Sequence, residues 1–386
     1  YWFGEELLSV FSEYKSLGDI GSAMKGLGTG NNDEYIRKYW ELNNRIQDNY
    51  VKLQKSGTDR PYYDLPVDYV YWKENGKSIK NESNSYVRND EFYFTEGVSY
   101  RGFGSEFTAR KHPSDAIFED KNRYIHCDEM SNGALLAILN SSVIRYLMSG
   151  LNPSMDFQVG DGERAPINTE INEDRTSLLA SSIVEKQKLR SSLNDLSSDF
   201  DSELFEQAVS EDGPIGLIFE RERYVAEILI LDSKLDQLVL QEYDLSEQVI
   251  KRIQPEGRRK HVDAPTLPGY IETSLDLVNL SQRDISKEEM EMLESAMSNI
   301  STDELGEVSS ENEISPISSV AIRKEKTLYT DSQIESAIAD IMSYSLGKCF
   351  DRWGNKPRGS SVDEIFDVSK DEPFLEEIGE VLQTIS

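Results

Sequence analysis

Cysteine is scarce in this 386-residue chain, which holds only Cys127 and Cys349, far apart in sequence. That excludes a disulfide framework and a cysteine-based zinc site, and it fits a reducing cytoplasm. Histidine is almost as scarce: His112, His126 and His261. Without cysteines or carboxylates at ligand spacing they predict no metal centre. No run approaches ~18 apolar residues, so no membrane span is expected. The start, Tyr1-Trp2-Phe3-Gly4, lacks an initiator methionine and any signal-peptide layout, so the chain reads as a piece of a longer gene product. Positive charge is also in deficit. Lys and Arg total 41 against 71 Asp and Glu, a net charge of -30.

The deficit is uneven. Residues 1–170 carry 19 basic and 26 acidic side chains, whereas residues 171–386 carry 22 and 45. Aromatics run the other way: 25 of the 37 Phe, Trp and Tyr precede residue 171. Two physically different halves are joined. Adaptation to high salt would explain the acidity, and it softens the objection to nucleic-acid binding because the local sign of a cleft matters more than net charge.

Along the chain, Leu7, Leu8, Phe11, Tyr14 and Leu17 recur at helical spacing. The spacing predicts further helix from Asn32 to Gln54. Val67-Asp68-Tyr69-Val70-Tyr71-Trp72, Glu91-Phe92-Tyr93-Phe94, Gly97 to Tyr100, Phe107 to Arg110 and Ala116 to Phe118 read as strands, with Asn75-Gly76 as a hairpin turn. Ala134 to Met148 reads as one apolar helix stopped by Asn152-Pro153-Ser154, and Phe157 to Asp161 as an extended piece. Residues 172–250 read as two long helical arms broken at Gly213-Pro214 and able to pair as an antiparallel hairpin. A basic cluster, Arg258 to His261, follows. The Ser- and Glu-rich residues 273–316 suggest exposed chain, and Ile334 to Phe350 a last helix.

The glycine-rich stretch Gly26-Leu27-Gly28-Thr29-Gly30 invites a cofactor. A dinucleotide loop, however, needs an apolar strand before it, and Ser22-Ala23-Met24-Lys25 does not read as a buried strand. No Gly-Lys-Ser/Thr follows. The better reading is a turn whose amides, with Thr29, Asn31 and Asn32, hold a DNA phosphate. Asn152-Pro153-Ser154 is partly like the Asn-Pro-Pro-aromatic motif of amino-methyltransferases, but Ser154 and Met155 leave it without the ring that stacks on a flipped base. No serine nucleophile with a base is legible. Basic and aromatic residues of the first half remain as candidates for phosphate and base contact: Arg37, Lys38, Trp40, Lys73, Lys77, Lys80, Arg88, Arg101, Arg110 and Lys111.

The order of these pieces resembles the C-terminal portion of the adenine-specific DNA methyltransferases of the BREX phage-resistance systems (PglX). More loosely it resembles the type IIG restriction–modification enzymes. The residues that carry the likeness are Gly26-Leu27-Gly28-Thr29-Gly30-Asn31-Asn32-Asp33 with Ile36-Arg37 and Trp40-Glu41, where Asn31 departs from the usual Asp. They continue with Tyr69 to Trp72, Glu74 to Lys77, Phe92 to Tyr100, Phe107-Thr108-Ala109-Arg110, Leu139 to Val143 and Leu151 to Asp161. Near the end, Ser343-Tyr344-Ser345-Leu346-Gly347 and Arg352-Trp353 match, with Asp351 in place of Gly.

The resemblance implies an α+β fold: a mixed target-recognition domain with a small sheet and helices, then a long-helix, coiled-coil-like C-terminal region. The implied divisions are 1–20, the end of a methyltransferase core; 21–168, a DNA-reading domain; 169–260, helical arms; 261–328, an acidic, partly disordered linker; 329–356, a C-terminal helix; and 357–386, an acidic tail. It implies methyl transfer from S-adenosyl-L-methionine to adenine in double-stranded DNA, with the cofactor bound by a part that precedes this chain. Other phage-defence proteins would be partners, and the chain alone would not methylate. DNA contact would fall to Thr29, Asn31, Asn32, Arg37, Lys38, Trp40, Lys73, Lys77, Arg88, Arg101, Arg110 and Lys111. The rival reading is a non-catalytic acidic interaction protein, or DNA mimic, that binds basic partners.

Overall fold

The computed structural model describes residues 3–42, 47–56, 60–64, 67–104, 106–152, 154–210, 213–257 and 331–349. The basic cluster Arg258 to His261, the expected linker and tail, and Arg352-Trp353 lie outside them. The fold is mixed α+β. Its first elements are α1 (Glu5–Glu13), β1 (Lys15–Ser16), α2 (Leu17–Ile20), β2 (Gly21–Met24), α3 (Asn32–Tyr35), β3 (Ile36–Lys38), β4 (Tyr50–Gln54), β5 (Asp68–Tyr71) and α4 (Lys73–Lys80). Then follow β6 (Gly97–Arg101), β7 (Ala109–His112), β8 (Ala116–Phe118), β9 (Asn122–Cys127), α5 (Asn132–Asn140), α6 (Ser142–Leu151), α7 (Val159–Gly162) and β10 (Pro166–Ile167). The helical arms are α8 (Glu173–Ser192), α9 (Ser202–Ser210), α10 (Pro214–Glu242) and α11 (Glu247–Gly257), with α12 (Asp331–Cys349) beyond.

Two four-stranded sheets carry the first half. One is antiparallel in the order β2-β9-β6-β7; the other runs β3-β5-β4-β8, with β8 parallel to β4. Alternation along the first sheet puts Val98, Tyr100, Ala109 and Ile125 on one face. That face shares a buried core with Leu135, Ile138 and Leu139 of α5, and with Leu7, Val10 and Leu17 from the chain's start. The second sheet closes over its own core of Leu27, Tyr35, Leu53, Val70, Ile79, Ile117 and Phe118.

Several expectations need correction. Among the described residues of Asn32 to Gln54, α-helix is confined to the first turn; short 3₁₀ turns stand at Tyr39–Glu41 and Gln47–Asn49, and β3 and β4 replace the expected helix because Ile36 and Val51 face the second core from strands flanking β5. Asn75-Gly76 makes no hairpin. Glu74, Asn75 and Gly76 are left-handed, with φ of 52°, 54° and 71°, and they open α4. Phe92 to Phe94 is a helical turn and bend, and Val159–Gly162 is a short helix. The apolar helix over 134–148 is two helices bent by 63°. Asn140 causes the break by facing the edge strand: the Ala109 N–H donates to its Oδ1 at 3.1 Å, and its Nδ2 donates to the Ala109 carbonyl at 2.9 Å. Ser141 then caps α6 through the Ile144 N–H. Among the described residues no single helix is long and apolar enough to cross a membrane, and the bent pair α5–α6 is buried in the core.

The long helices pair antiparallel as expected, but the first arm is broken as well: residues 193–201 separate α8 from the short α9, and Gly213-Pro214 divides only α9 from α10. Arg221 near the start of α10 donates to the Leu193 carbonyl just past α8, at 2.7 Å, so α8 and α10 run antiparallel. Gly213-Pro214 marks the start of α10, with Pro at the first helical position, where a missing N–H costs nothing. Leu231, Leu235 and Val239 bury one stripe of α10 in the main core. Beside them, Asp236 accepts from the Ser142 N–H at 2.7 Å and from the Ser142 hydroxyl at 2.9 Å. The Tyr62 hydroxyl donates to Asp232, and buried Arg145 lies within electrostatic reach of both carboxylates. Removing one carboxylate leaves buried donors uncompensated. Asp236→Ala is therefore expected to lower unfolding free energy by about 2–4 kcal/mol in urea titrations.

His112 offers a second check. Its ring is buried against Phe118 and Tyr124, and burial lowers its pKa from 6.5 to about 4. The unfolded chain therefore binds the proton more readily, and stability from this group is lost as pH falls from 6.5 towards 4. Urea titrations at pH 7 and pH 4.5 should show a loss of up to about 3 kcal/mol that His112→Asn abolishes.

Candidate nucleic-acid interface

The glycine stretch is preceded by a strand after all. β2 pairs with β9, and Ala23 and Met24 are buried. The loop itself is packed onto its own protein. The Leu27 and Gly28 amides donate to the carbonyls of Phe118 and Tyr86, both at 2.9 Å. A Cβ at Gly28 would sit 2.3 Å from the Tyr86 ring, and one at Gly26 would sit 2.0 Å from the Phe118 carbonyl oxygen. The glycines let the loop press against its own protein and not stand open. Nor does a long helix follow, since α3 spans only Asn32–Tyr35. The same packing commits two of the turn's amides, those of Leu27 and Gly28, to partners within the protein.

Thr29 is buried, and its hydroxyl donates to Asn32. Asn31 caps α3, accepting from the Glu34 N–H at 3.3 Å. This short cap delivers the chain into β3. Arg37 lies there directly opposite Tyr69 of β5, which lies opposite Lys52 of β4. Paired residues share a face and alternate residues return to it, so Tyr50 joins the same row with Tyr71 opposite it, although Tyr71 also packs against the second core. Their rings meet edge-on at 5.5 Å. Arg37, Tyr50, Lys52, Tyr69 and Tyr71 are all partly exposed. They form a basic and aromatic outer face, the composition that meets phosphates and base rings. Arg37 is held by the Asp33 and Ile36 carbonyls, both at 2.7 Å, and Lys52 pairs with exposed Asp115 at 2.8 Å. Lys52 itself is half-buried, and Asp199 as well as Asp115 lies within its electrostatic reach, so a phosphate would compete with these carboxylates for the ammonium.

Sequence reasoning found Arg37 in this row and missed Tyr50, Lys52, Tyr69 and Tyr71. The signal was the period-2 alternation of Tyr50-Val51-Lys52-Leu53 and Tyr69-Val70-Tyr71, hidden in the first case by the helical expectation. Lys38 points to the other face and pairs with Asp68 at 2.9 Å. Trp40 follows in a short turn, 44% exposed, with Tyr39 against it. Lys73 is exposed at the start of α4, and Lys77 pairs with Glu74 at 3.0 Å. Exposed Arg88 lies 4.4 Å over the Tyr86 ring, next to Gly28.

The remaining candidates belong to the first sheet and do not join this face. Arg110 has no exposed surface; its guanidinium meets Asp64 at 3.0 Å and the Ser56 carbonyl at 2.8 Å. Its expected DNA contact is corrected to an internal ion pair, because a buried guanidinium without a carboxylate would be costly. Lys111 pairs with Glu96 at 3.2 Å and lines a pocket of about 240 Å³ against α5 and α8. Arg101 is half-buried at the end of β6. Among the described residues no cluster of three or more His, Cys, Asp or Glu could hold a metal ion. Because Gly28 packs on a ring, Gly28→Ala is expected to lower stability by about 1–3 kcal/mol through overpacking, read as a reduced urea midpoint.

No protein-family model matches the chain. Two curated proteins are similar to it. The adenine-specific methyltransferase BrxX of Escherichia coli O9:H4 (strain HS) is 27% identical over 180 residues, and the adenine-specific methyltransferase PglX of Lacticaseibacillus casei (strain Zhang) is 26% identical over 190. Each match covers 43% of this chain but only 15% and 16% of the relatives' own lengths. The chain is thus related, over a small part of their length, to the PglX-type adenine-specific methyltransferases of the BREX group.

Proposed function

We propose that this chain is the DNA-recognition segment of a site-specific N6-adenine DNA methyltransferase that acts in phage defence in the cytoplasm. The observation that carries the reading is the outer row Arg37–Tyr69–Lys52, in a chain related to adenine-specific methyltransferases. The row presents guanidinium, ammonium and phenol groups from rigid strands. Cations fix a protein on the phosphate backbone, while aromatic and hydrogen-bonding groups reach bases. Asn31, Asn32, Trp40, Lys73 and Arg88 belong to the same small module and extend the contact. S-adenosyl-L-methionine, which supplies the methyl group, would be bound by residues beyond this chain. The chain contains no Asn-Pro-Pro-aromatic motif and is expected not to methylate alone. Other phage-defence proteins would dock on the helical arms.

The rival reading, an acidic interaction protein or DNA mimic, draws on the net charge of -30 and on the carboxylate partners of Lys38, Lys77, Arg110 and Lys111. Anisotropy titrations of duplex DNA across salt concentrations separate the two. Recognition gives binding that weakens steeply with salt. Arg37→Ala and Lys52→Ala each lower the log–log slope by about 1 while leaving the melting midpoint in place. Absent binding, or affinity indifferent to salt and to both variants, would reject the DNA-reading assignment.

A further inference from the structure

The turn that joins α8 to α9, residues 193–201, comes alongside the basic and aromatic row. Two hydroxyls of the small module meet it. The Tyr39 hydroxyl, just past β3, donates to the Asp195 carbonyl at 3.1 Å. The Tyr63 hydroxyl, between β4 and β5, donates to the Asp199 carboxylate. Asp199 also lies within electrostatic reach of Lys52 and Tyr69, two members of the row. Lys52 is thus flanked by carboxylates from two parts of the chain. Asp115, in the turn between β7 and β8, pairs with it at 2.8 Å, and Asp199 is brought by the helical arms.

The turn is built firmly into the arms. Its Ser197 N–H donates to the Asn194 carbonyl at 2.8 Å, its Asp199 N–H to the Ser197 hydroxyl oxygen at 3.0 Å, and its Asp201 N–H to the Ser192 carbonyl at 3.0 Å. Leu193 is buried in a core with Phe205 and Leu217, and Phe200 packs against it. From α12, the Ser343 hydroxyl donates to the Asp195 carboxylate at 2.7 Å. The Asp199 carboxylate is therefore a placed charge, partly buried beside the row. A carboxylate attracts an ammonium as a phosphate does, and partial burial weakens the screening by salt.

We infer that Asp199 makes an autoinhibitory contact: carried by the helical arms, it competes with duplex DNA for Lys52 and restrains binding by the row. This rests on the DNA-reading assignment above and deepens it by giving that site a means of regulation. The turn and a DNA phosphate exclude one another at the ammonium. By linkage, whatever draws the turn away from Tyr39 and Tyr63 raises the affinity for DNA.

Anisotropy titrations of duplex DNA at fixed salt, with the full chain, test the contact. Asp199→Asn removes the charge and keeps an oxygen for the Tyr63 hydroxyl, and it should tighten binding about 5-fold. Asp199→Ser, equally neutral, should give a similar gain, and thermal melts show which of the two leaves the fold intact. In a Lys52→Ala background the gain should vanish, because two residues that act on each other are not additive. Glu203→Gln, which removes one charge from an exposed position on α9, should change affinity by less than about 2-fold. Parent binding that both Asp199 variants leave unchanged overturns the contact and leaves DNA reading standing. So does a gain that persists without the Lys52 ammonium or that Glu203→Gln reproduces. Failure of the parent and all variants to bind removes both.

Discussion

Much of the structure depends on two carboxylates on one helix. Asp232 and Asp236 lie one turn apart on α10 and are directed into the first half of the molecule. Asp236 receives both the N–H and the hydroxyl of Ser142 at the start of α6. Asp232 receives the hydroxyl of Tyr62, whose backbone pairs with Ala109 and Lys111 on the outer strand of the first sheet. Arg145, buried beside them, supplies the opposing charge. Such a cluster is costly to desolvate and is tolerated only when every member is partnered. Its consequence is register: α10 docks in one rotation and one translation, and α8, antiparallel to it, is oriented in turn.

The segments that carry the family resemblance are mostly part of this framework. In Phe107-Thr108-Ala109-Arg110 the phenyl ring fills the core, Ala109 pairs with Asn140, and Arg110 neutralises Asp64. In Leu139-Asn140-Ser141-Ser142-Val143, Asn140 protects an edge strand, Ser141 caps α6 and Ser142 holds Asp236. Ser343 and Tyr344 dock α12 on Asp195 and Glu206 of the arms. Asn152 ties down its own loop through Asp161 at 2.7 Å. These matches identify a way of folding. The side chains that could read DNA, Arg37, Tyr50 and Lys52 among them, lie outside those roles.

Local signals carried a good part of the fold. The 3.6-residue recurrence of Ile228, Leu231 and Leu235 and the Gly213-Pro214 start were enough to place the helical arms. Period-2 alternation placed β5 and β6. Where local pattern was ambiguous it failed. Asn32 to Gln54 mixes apolar and polar residues at spacings that suit either element, and pairing with β5 decided for strands. Asn140-Ser141 reads as helix until a distant strand edge offers the amide two better hydrogen bonds.

What the sequence alone determined was composition and kinship: an aromatic first half, an acidic second half, helical arms, and an ordered set of segments related to adenine-specific methyltransferases. What the tertiary structure decided was which charges are free to act. Arg37 and Arg110 are equivalent on paper, each a basic residue within a short strand. Asp64, 46 residues from Arg110, takes one of them out of solvent, while Arg37 stays on an outer face beside Tyr69 and in line with Lys52. The reason is that a side chain's availability depends on burial and on partners brought from far along the chain, and neither is encoded in its immediate neighbours.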